Sequence, residues 1–409
     1  MKICIMHTGH PKTGTTSLQH FLAGNADALR DRGILYPVLN RKEDLSKVLP
    51  WARYQHGPAT KAMAMAMASG RDALNENHAI QDLELQIHKD PHDVLVISSE
   101  SLFLETLIRN RSNVPDWFRS RGYAIETVSY VRDQPDRFNS AYSQDAKTLI
   151  SSETFRDYVM RRLGNDPFDA VTSKQMSYGL LTNPDLALWG THTFRPFADE
   201  VKRSGIEADF IMTMRAILDR RGMGDILTEA QSRSLVVPPR QNEGDGPVLV
   251  EAGRRIAASL LGLFADQEIP QFLRAKGFQD LVRAVDDLEI KSPKYSGLTP
   301  RLYKMIRRRF QKTNESFSRQ IWGRPWDDVF PTRLRRNIVS NDVNDTGDPA
   351  LLAQVDAVSG RVTSELLQDL EQGESFWELL MTSKPRGSEQ IKAKGRHRAE
   401  HRNRAGNRT

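Results

Sequence analysis

Between Gly9 and Thr16 the chain reads Gly9-His10-Pro11-Lys12-Thr13-Gly14-Thr15-Thr16. These residue types are suited to holding an anion. Backbone N–H groups of a tight loop that opens into a helix converge with positive partial charge. Gly9 and Gly14 permit close turning, Thr15 and Thr16 add hydroxyl donors, and Lys12 supplies a mobile full charge. The nucleoside triphosphatase loop has glycine, four residues, then Gly-Lys-Ser/Thr. Here Gly9 and Gly14 keep the glycine spacing and Thr16 the last hydroxyl, but Thr15 holds the lysine position and the lysine stands upstream at 12. A lysine so displaced is expected to reach a group attached near the first phosphate rather than β- and γ-phosphates.

A second segment of this kind is Val131-Arg132-Asp133-Gln134-Pro135-Asp136-Arg137-Phe138-Asn139-Ser140-Ala141-Tyr142. An arginine fork holds a phosphate through two bonds. A serine eight residues on, early in a following helix, can donate a third. The competing reading of Arg132 is a salt bridge with Asp133 or Asp136.

The elements that must position these groups are legible around them. Ile3 to Met6 is a short continuous apolar run, as expected of a strand buried on both faces. Leu18, Phe21, Leu22 and Leu29 follow at helical spacing. Further buried strands are predicted from Val94 to Ser98 and from Ile125 to Val131, and a fourth around Thr193–Phe197. Pro135 suits the first turn of a helix through Phe138 and Tyr142. Alternating strands and helices predict an α/β fold, a P-loop nucleotide-binding-like domain whose central, mostly parallel sheet is flanked by helices. Ligands of such sheets bind at the carboxyl ends of strands, which directs attention to Thr8–Thr16, Ser99–Glu100 and Arg132–Ser140.

The Pro11-Lys12-Thr13-Gly14-Thr15-Thr16 run resembles the 5′-phosphosulfate loop of the sulfotransferases that use 3′-phosphoadenosine-5′-phosphosulfate (PAPS), and the Arg132-to-Ser140 segment resembles their 3′-phosphate motif. Gln134 is inserted where many members place proline directly after aspartate, and the Arg-to-Ser spacing is kept. Tyr36-Pro37, Ser98-Ser99-Glu100, Arg195-Pro196-Phe197, Gln241-Asn242-Glu243, and Asn314, Glu315 and Ser316 before Trp322-Gly323-Arg324 are similar to landmarks of bacterial members, so the resemblance spans roughly residues 3–330. It implies sulfuryl transfer from PAPS to a hydroxyl or amine of a small-molecule or carbohydrate acceptor, with PAP as product and no metal. It assigns nucleotide binding to Pro11, Lys12, Thr13, Gly14, Thr15, Thr16, Arg132 and Ser140, and stabilisation of the leaving bridging oxygen to Lys12.

A base must take the acceptor's proton. Glu100, at the end of a buried strand, is one candidate; a helix N-terminal carboxylate is the plainer reading. His56, in Tyr54-Gln55-His56-Gly57, is a second, and His10 a third. The loops expected to shape the acceptor pocket are 40–90 and 145–190. Trp51, Tyr54, Tyr178 and Trp189 could stack on a sugar, although aromatics in loops over a core are usually packing. The alternation Met63-Met65-Met67 reads as a helix packed on the core rather than a lipophilic groove.

Composition bounds the remainder. Of 409 residues, 39% are apolar, enough for a sizeable core. The single cysteine, Cys4, excludes an intrachain disulfide and reads as a small buried hydrophobe. No stretch approaches the roughly 20 apolar residues of a membrane span and no signal peptide is apparent, so the cytoplasm is the expected compartment. The net charge of +6 is a tail effect: Lys384–Thr409 holds nine Lys or Arg against Glu389 and Glu400, which leaves the body near −1. No specific nucleic-acid partner is therefore expected. The organisation predicted is a nucleotide-binding core over 1–215, a helical part of the same domain over 216–382, and a disordered basic tail over 383–409. The alternative functions are a P-loop kinase or nucleotide hydrolase, and a non-catalytic binder whose basic tail docks on nucleic acid or an anionic membrane. Against the kinase stand the displaced lysine and the lack of an aspartate at the end of the Val94–Ser98 strand. The oligomeric state is not encoded in any of these features.

Overall fold

The computed structural model describes residues 2–9, 12–38, 78–103, 113–164, 177–178, 189–237, 245–264, 268–333 and 337–372. His10, Pro11, His56, Trp51, Tyr54, the Met63–Met67 run, Gln241-Asn242-Glu243 and the basic tail lie outside them.

The elements run β1 (Lys2–His7), α1 (Thr15–Gly24), α2 (Ala26–Arg30), β2 (Ile34–Leu35), α3 (His78–Lys89), β3 (Val94–Ser98), α4 (Glu100–Phe103), α5 (Asn113–Arg119), β4 (Tyr123–Val131), α6 (Gln134–Lys147), α7 (Phe155–Leu163), β5 (Thr191–Pro196), α8 (Asp199–Ser204) and α9 (Ile206–Arg220). A helical C-terminal region follows: α10 (Glu229–Arg233), α11 (Pro247–Leu263), α12 (Gln271–Asp287), α13 (Pro300–Trp322), α14 (Trp326–Val329), α15 (Val343–Thr346) and α16 (Pro349–Gln372).

The sheet has five strands in the order β2-β3-β1-β4-β5, and every pairing is parallel. Strand alternation sends Ile3 and Ile5 to one face and Cys4 and Met6 to the other, and both faces are covered, as a parallel sheet requires. On the first face Leu18, Phe21 and Leu22 of α1 and Phe210, Met214 and Ile217 of α9 pack on Ile3, Ile5, Val96 and Tyr130. On the second, Leu83 and Ile87 of α3 and Trp117 and Phe118 of α5 cover Cys4, Met6, Leu95 and Ile125. β2, only two residues long, has too little pattern to be seen in the sequence.

The order of strands locates the site. The chain leaves β1 toward β2 on one side and leaves β4 toward β5 on the other. β1 and β4 are neighbours, so their outgoing connections diverge and open a crevice at their carboxyl ends, where ligands of open α/β sheets bind.

The C-terminal helices pack around α6. Gly253 of α11 lets the two backbones meet: a Cβ there would lie 2.7 Å from the Ala146 oxygen and 2.8 Å from the Lys147 Cα. Phe138, Tyr142 and Ala146 of α6 share a core with Phe155, Tyr158, Tyr295 and Phe310. The end of α6 that faces the crevice is thus fixed from the C-terminal side. Among the described residues no helix is long and apolar enough to cross a membrane.

Candidate functional site

The loop after β1 is built for close approach. Thr8 N–H donates to the Val128 oxygen at 2.9 Å, which extends the β1–β4 ladder into the loop. Lys12 has φ 70° and Gly14 φ 85°, two left-handed residues around the buried Thr13. Alternation of this kind points successive backbone N–H groups the same way. Gly14 is the N-cap of α1, and no side chain caps that helix. The first N–H groups of a helix have no partner within it, so α1 presents its amides and positive dipole end to the crevice. Gly9 is required by space: a Cβ there would stand 2.3 Å from Thr15 Oγ1. That hydroxyl oxygen is buried and faces the Glu100 carboxylate.

A polar layer supports the loop from beneath. His7 Nδ1 shares a hydrogen bond with Ser98 Oγ at 2.9 Å, and Gln19 Nε2 donates to the same hydroxyl at 3.2 Å. Thr8 Oγ1 bonds Ser129 Oγ, which in turn meets His192 Nε2 at 2.8 Å. Burial lowers the pKa of both histidines to about 3, so both are neutral at physiological pH.

The end of β4 supplies the second half. Arg132 Nη1 donates to the Lys12 carbonyl oxygen at 2.5 Å and so joins the two strand-end segments directly. The Tyr178 hydroxyl donates to the Arg132 carbonyl, and the guanidinium lies 5.8 Å from the Phe197 ring centroid. Arg132 Nε is buried without a partner. Neither flanking aspartate belongs to Arg132 alone. Asp133 accepts from Arg307 at 2.8 Å and from the Trp326 indole at 3.1 Å. Asp136 accepts from Lys202 at 2.8 Å and Arg333 at 2.9 Å. Gln134, the departure from the motif, exchanges two hydrogen bonds with Asn314 of α13, at 2.6 and 2.8 Å, and both residues are fully buried.

Lys12 reaches across to α6, where Nζ donates to Gln144 Oε1 at 3.2 Å. Burial lowers its pKa, and the nearby Lys147 and Arg132 add to that, against Asp245 and Glu100. Lys147 is held by Asp245 at 2.7 Å, and Ser143 donates to the same carboxylate at 2.7 Å. Lys294 is likewise lowered by burial, with Arg132 and Lys202 adding to that against Asp136 and Asp245. Burial pulls the Asp136 carboxyl up, but Arg132, Lys202 and Arg333 outweigh it and hold the pKa below the ordinary value.

Glu100 is the first residue of α4, beside the loop. It is open to solvent on one side and crowded by protein on the others. That crowding raises its pKa, and Lys12 and the Thr15 hydroxyl, which faces the carboxylate, oppose the rise.

Lys12, Thr13, Gly14, Thr15, Thr16, Arg132 and Glu100 therefore gather at one crevice. Ser140 is half-buried on α6, one turn before Gln144 and on the same helix face. Its hydroxyl has no hydrogen-bond partner among the described residues. Sequence reasoning missed Gln144 and Lys147, although Ser140, Gln144 and Lys147 follow helical i, i+4, i+7 spacing. It also missed Asp245, Lys294 and Arg333, which arrive from loops between the distant C-terminal helices and carry no local signal. Tyr178 and Trp189 are buried, with 0% and 1% of their surfaces exposed, and are packing residues. Among the described residues, no three His, Cys, Asp or Glu side chains cluster as metal ligands.

The chain matches no protein-family model and no curated protein. Among solved structures it is similar to a sulfotransferase from Alicyclobacillus acidocaldarius, with 15% sequence identity and a TM-score of 0.32, over 65% of this chain and 97% of that one.

Proposed function

We propose that the chain is a PAPS-dependent sulfotransferase that moves a sulfuryl group to a hydroxyl, or an amine, of an acceptor, a carbohydrate fitting best. The observation that carries this reading is the junction of the two strand ends. Arg132 bonds the backbone of Lys12, and around that junction Arg132 Nε is buried without a partner while α1 is uncapped. Burying such donors unpaired is costly, and a nucleotide with phosphate groups at two positions would satisfy them.

In this reading the loop amides, Thr15 and Thr16 hold the 5′-phosphosulfate, and Arg132 and Ser140 hold the 3′-phosphate. Lys12 stabilises charge on the bridging oxygen as the S–O bond to the nucleotide breaks. Its lowered pKa also lets it give up a proton to that oxygen more easily than a free lysine would. The new S–O bond forms to the acceptor oxygen, and Glu100 takes the acceptor's proton. A carboxyl with a raised pKa is a stronger base than a free one once ionised. His56 and His10 remain candidates for that role from the sequence. The kinase reading is disfavoured because β3 ends in Ser98, whose hydroxyl is occupied by His7 and Gln19.

Calorimetry with PAP and with ATP plus magnesium tests the donor. PAP is expected to bind the more tightly, with no gain from magnesium. A preference for ATP with magnesium overturns the proposal in favour of a P-loop kinase or hydrolase.

A further inference from the structure

The crevice gathers more positive charge than its own carboxylates take up. Lys147 is paired with Asp245 at 2.7 Å, Lys202 and Arg333 with Asp136 at 2.8 and 2.7 Å, and Arg307 with Asp133 at 2.8 Å. Among the described residues of the crevice, Lys12, Arg132 and Lys294 are the cations with no carboxylate at ion-pair distance. The first two have roles in the reading above. Lys294 has none, and its Nζ has no hydrogen-bond partner among the described residues either.

The loop that carries Lys294, between α12 and α13, is tied to the site. The Asn139 side chain clamps it to α6: Nδ2 donates to the Tyr295 carbonyl at 3.0 Å, and Oδ1 accepts from the Gly297 N–H at 2.8 Å. Ser140 is the next residue of α6, so the clamp sets this loop beside that hydroxyl. The Tyr295 N–H donates to the Asp245 carbonyl at 2.6 Å, and the Tyr295 hydroxyl donates to Asp342 at 2.6 Å. From the other side Asn341 donates to the Lys294 carbonyl at 3.0 Å and accepts from the Ser296 N–H at 2.7 Å. The backbone on either side of Lys294 is thus fixed, and the side chain is what remains to move.

That side chain turns toward the crevice. The residue is exposed as a whole, yet burial lowers the pKa of its ammonium. After burial the largest influence on it is Arg132, followed by Asp136, Lys202 and Asp245. An ammonium swung out into water would be screened from all four. The end of β4, α6, α8 and the segment before α11 therefore surround it, at the Arg132 end of the crevice. Asp136 is already shared by Lys202 and Arg333, so it does not satisfy Lys294 as well.

A phosphate monoester carries about −1.5 to −2 charges at pH 7. One guanidinium offsets about one of them. Arginine contributes a planar fork and lysine a mobile point charge, so the two together suit a single phosphate better than either alone.

We propose that Lys294 is a specificity-determining residue of the donor site, which joins Arg132 in holding the 3′-phosphate. This rests on the PAPS reading.

The test is calorimetry on the full chain with PAP and with adenosine 5′-monophosphate, which differ by the 3′-phosphate alone. The wild-type protein is expected to prefer PAP. Lys294→Met should raise the Kd for PAP roughly 10–100-fold, the scale of losing one charged hydrogen bond, and leave the monophosphate within about twofold, with the melting temperature unchanged. Lys294→Arg, which keeps the charge, should restore most of the preference. A preference for PAP that survives Lys294→Met, or equal weakening of both nucleotides, overturns the assignment of Lys294 and leaves the donor reading standing. A wild-type protein that binds PAP no more tightly than the monophosphate overturns the donor reading, and the assignment with it.

Discussion

The loop after β1 and the segment after β4 lie side by side and touch through Arg132 and Lys12, yet they treat their polar groups in opposite ways. The β1 loop is left open: its helix is uncapped, and Lys12 rests on a single neutral amide. The β4 segment is nearly saturated. Asp133 and Asp136 each accept from two donors, and Gln134 is locked to Asn314. A group that must change partners during a reaction cannot be tied into the fold, whereas a group that only fixes position gains from being tied. The contrast separates residues whose loss should silence the protein from residues whose loss should loosen it.

The sharpest way to break this contrast is at Glu100, on the open side. In its proposed role as the base it must be ionised, so turnover should fall as pH drops through its pKa, which lies above the ordinary carboxylate value of about 4.3. Glu100→Gln should lower kcat about 10²–10⁴-fold, the span of general base catalysis, and remove that acidic limb. A surviving limb would pass the role to a histidine.

Lys12→Ala comes next. A loss of about 10²–10³-fold in turnover is expected, as for one transition-state charge stabiliser, with the melting temperature unchanged. A large fall in melting temperature would mean the β1 loop is structural after all. Arg132→Ala straddles the two sides. It should weaken PAP by roughly 1.5–3 kcal/mol, the worth of a charged hydrogen bond, while adenosine 5′-phosphosulfate, which lacks the 3′-phosphate, weakens less. Equal weakening removes Arg132 from the 3′-phosphate.

On the saturated side, Asn314→Ala strands the Gln134 amide in the core. Urea unfolding should show a loss of about 1–3 kcal/mol, the cost of an unsatisfied buried polar group, with PAP affinity kept in the protein that remains folded. Loss of affinity without loss of stability would erase the distinction between the two segments.

Legibility in the sequence followed the same division. Continuous apolar runs at Ile3–Met6 and Val94–Ser98 revealed buried strands, and the fixed offsets from Gly9 to Thr16 and from Arg132 to Ser140 revealed both strand-end segments, because each is local. Gln134 looked like an imperfection in the second motif until α13 supplied Asn314. Lys147 could have been read from its helical register with Ser140. Lys294 and Arg333 could not, since what brings them near Arg132 is the packing of the C-terminal helices, and packing partners more than a hundred residues apart leave no periodicity behind.

Lys12 holds φ 70°, a backbone conformation that suits glycine. For a residue with a Cβ that conformation costs roughly 1–2 kcal/mol. The loop thus keeps a side chain at a position where the backbone would be more relaxed without one, which sets stability against function at a single residue. Lys12→Gly should therefore be as inactive as Lys12→Ala but melt no lower than the wild-type protein, with any gain limited by the extra freedom glycine has in the unfolded chain. A directed search for thermostable variants scored on melting alone would drift toward this substitution and lose activity as it did so, whereas one scored on turnover would hold the lysine and its strain in place.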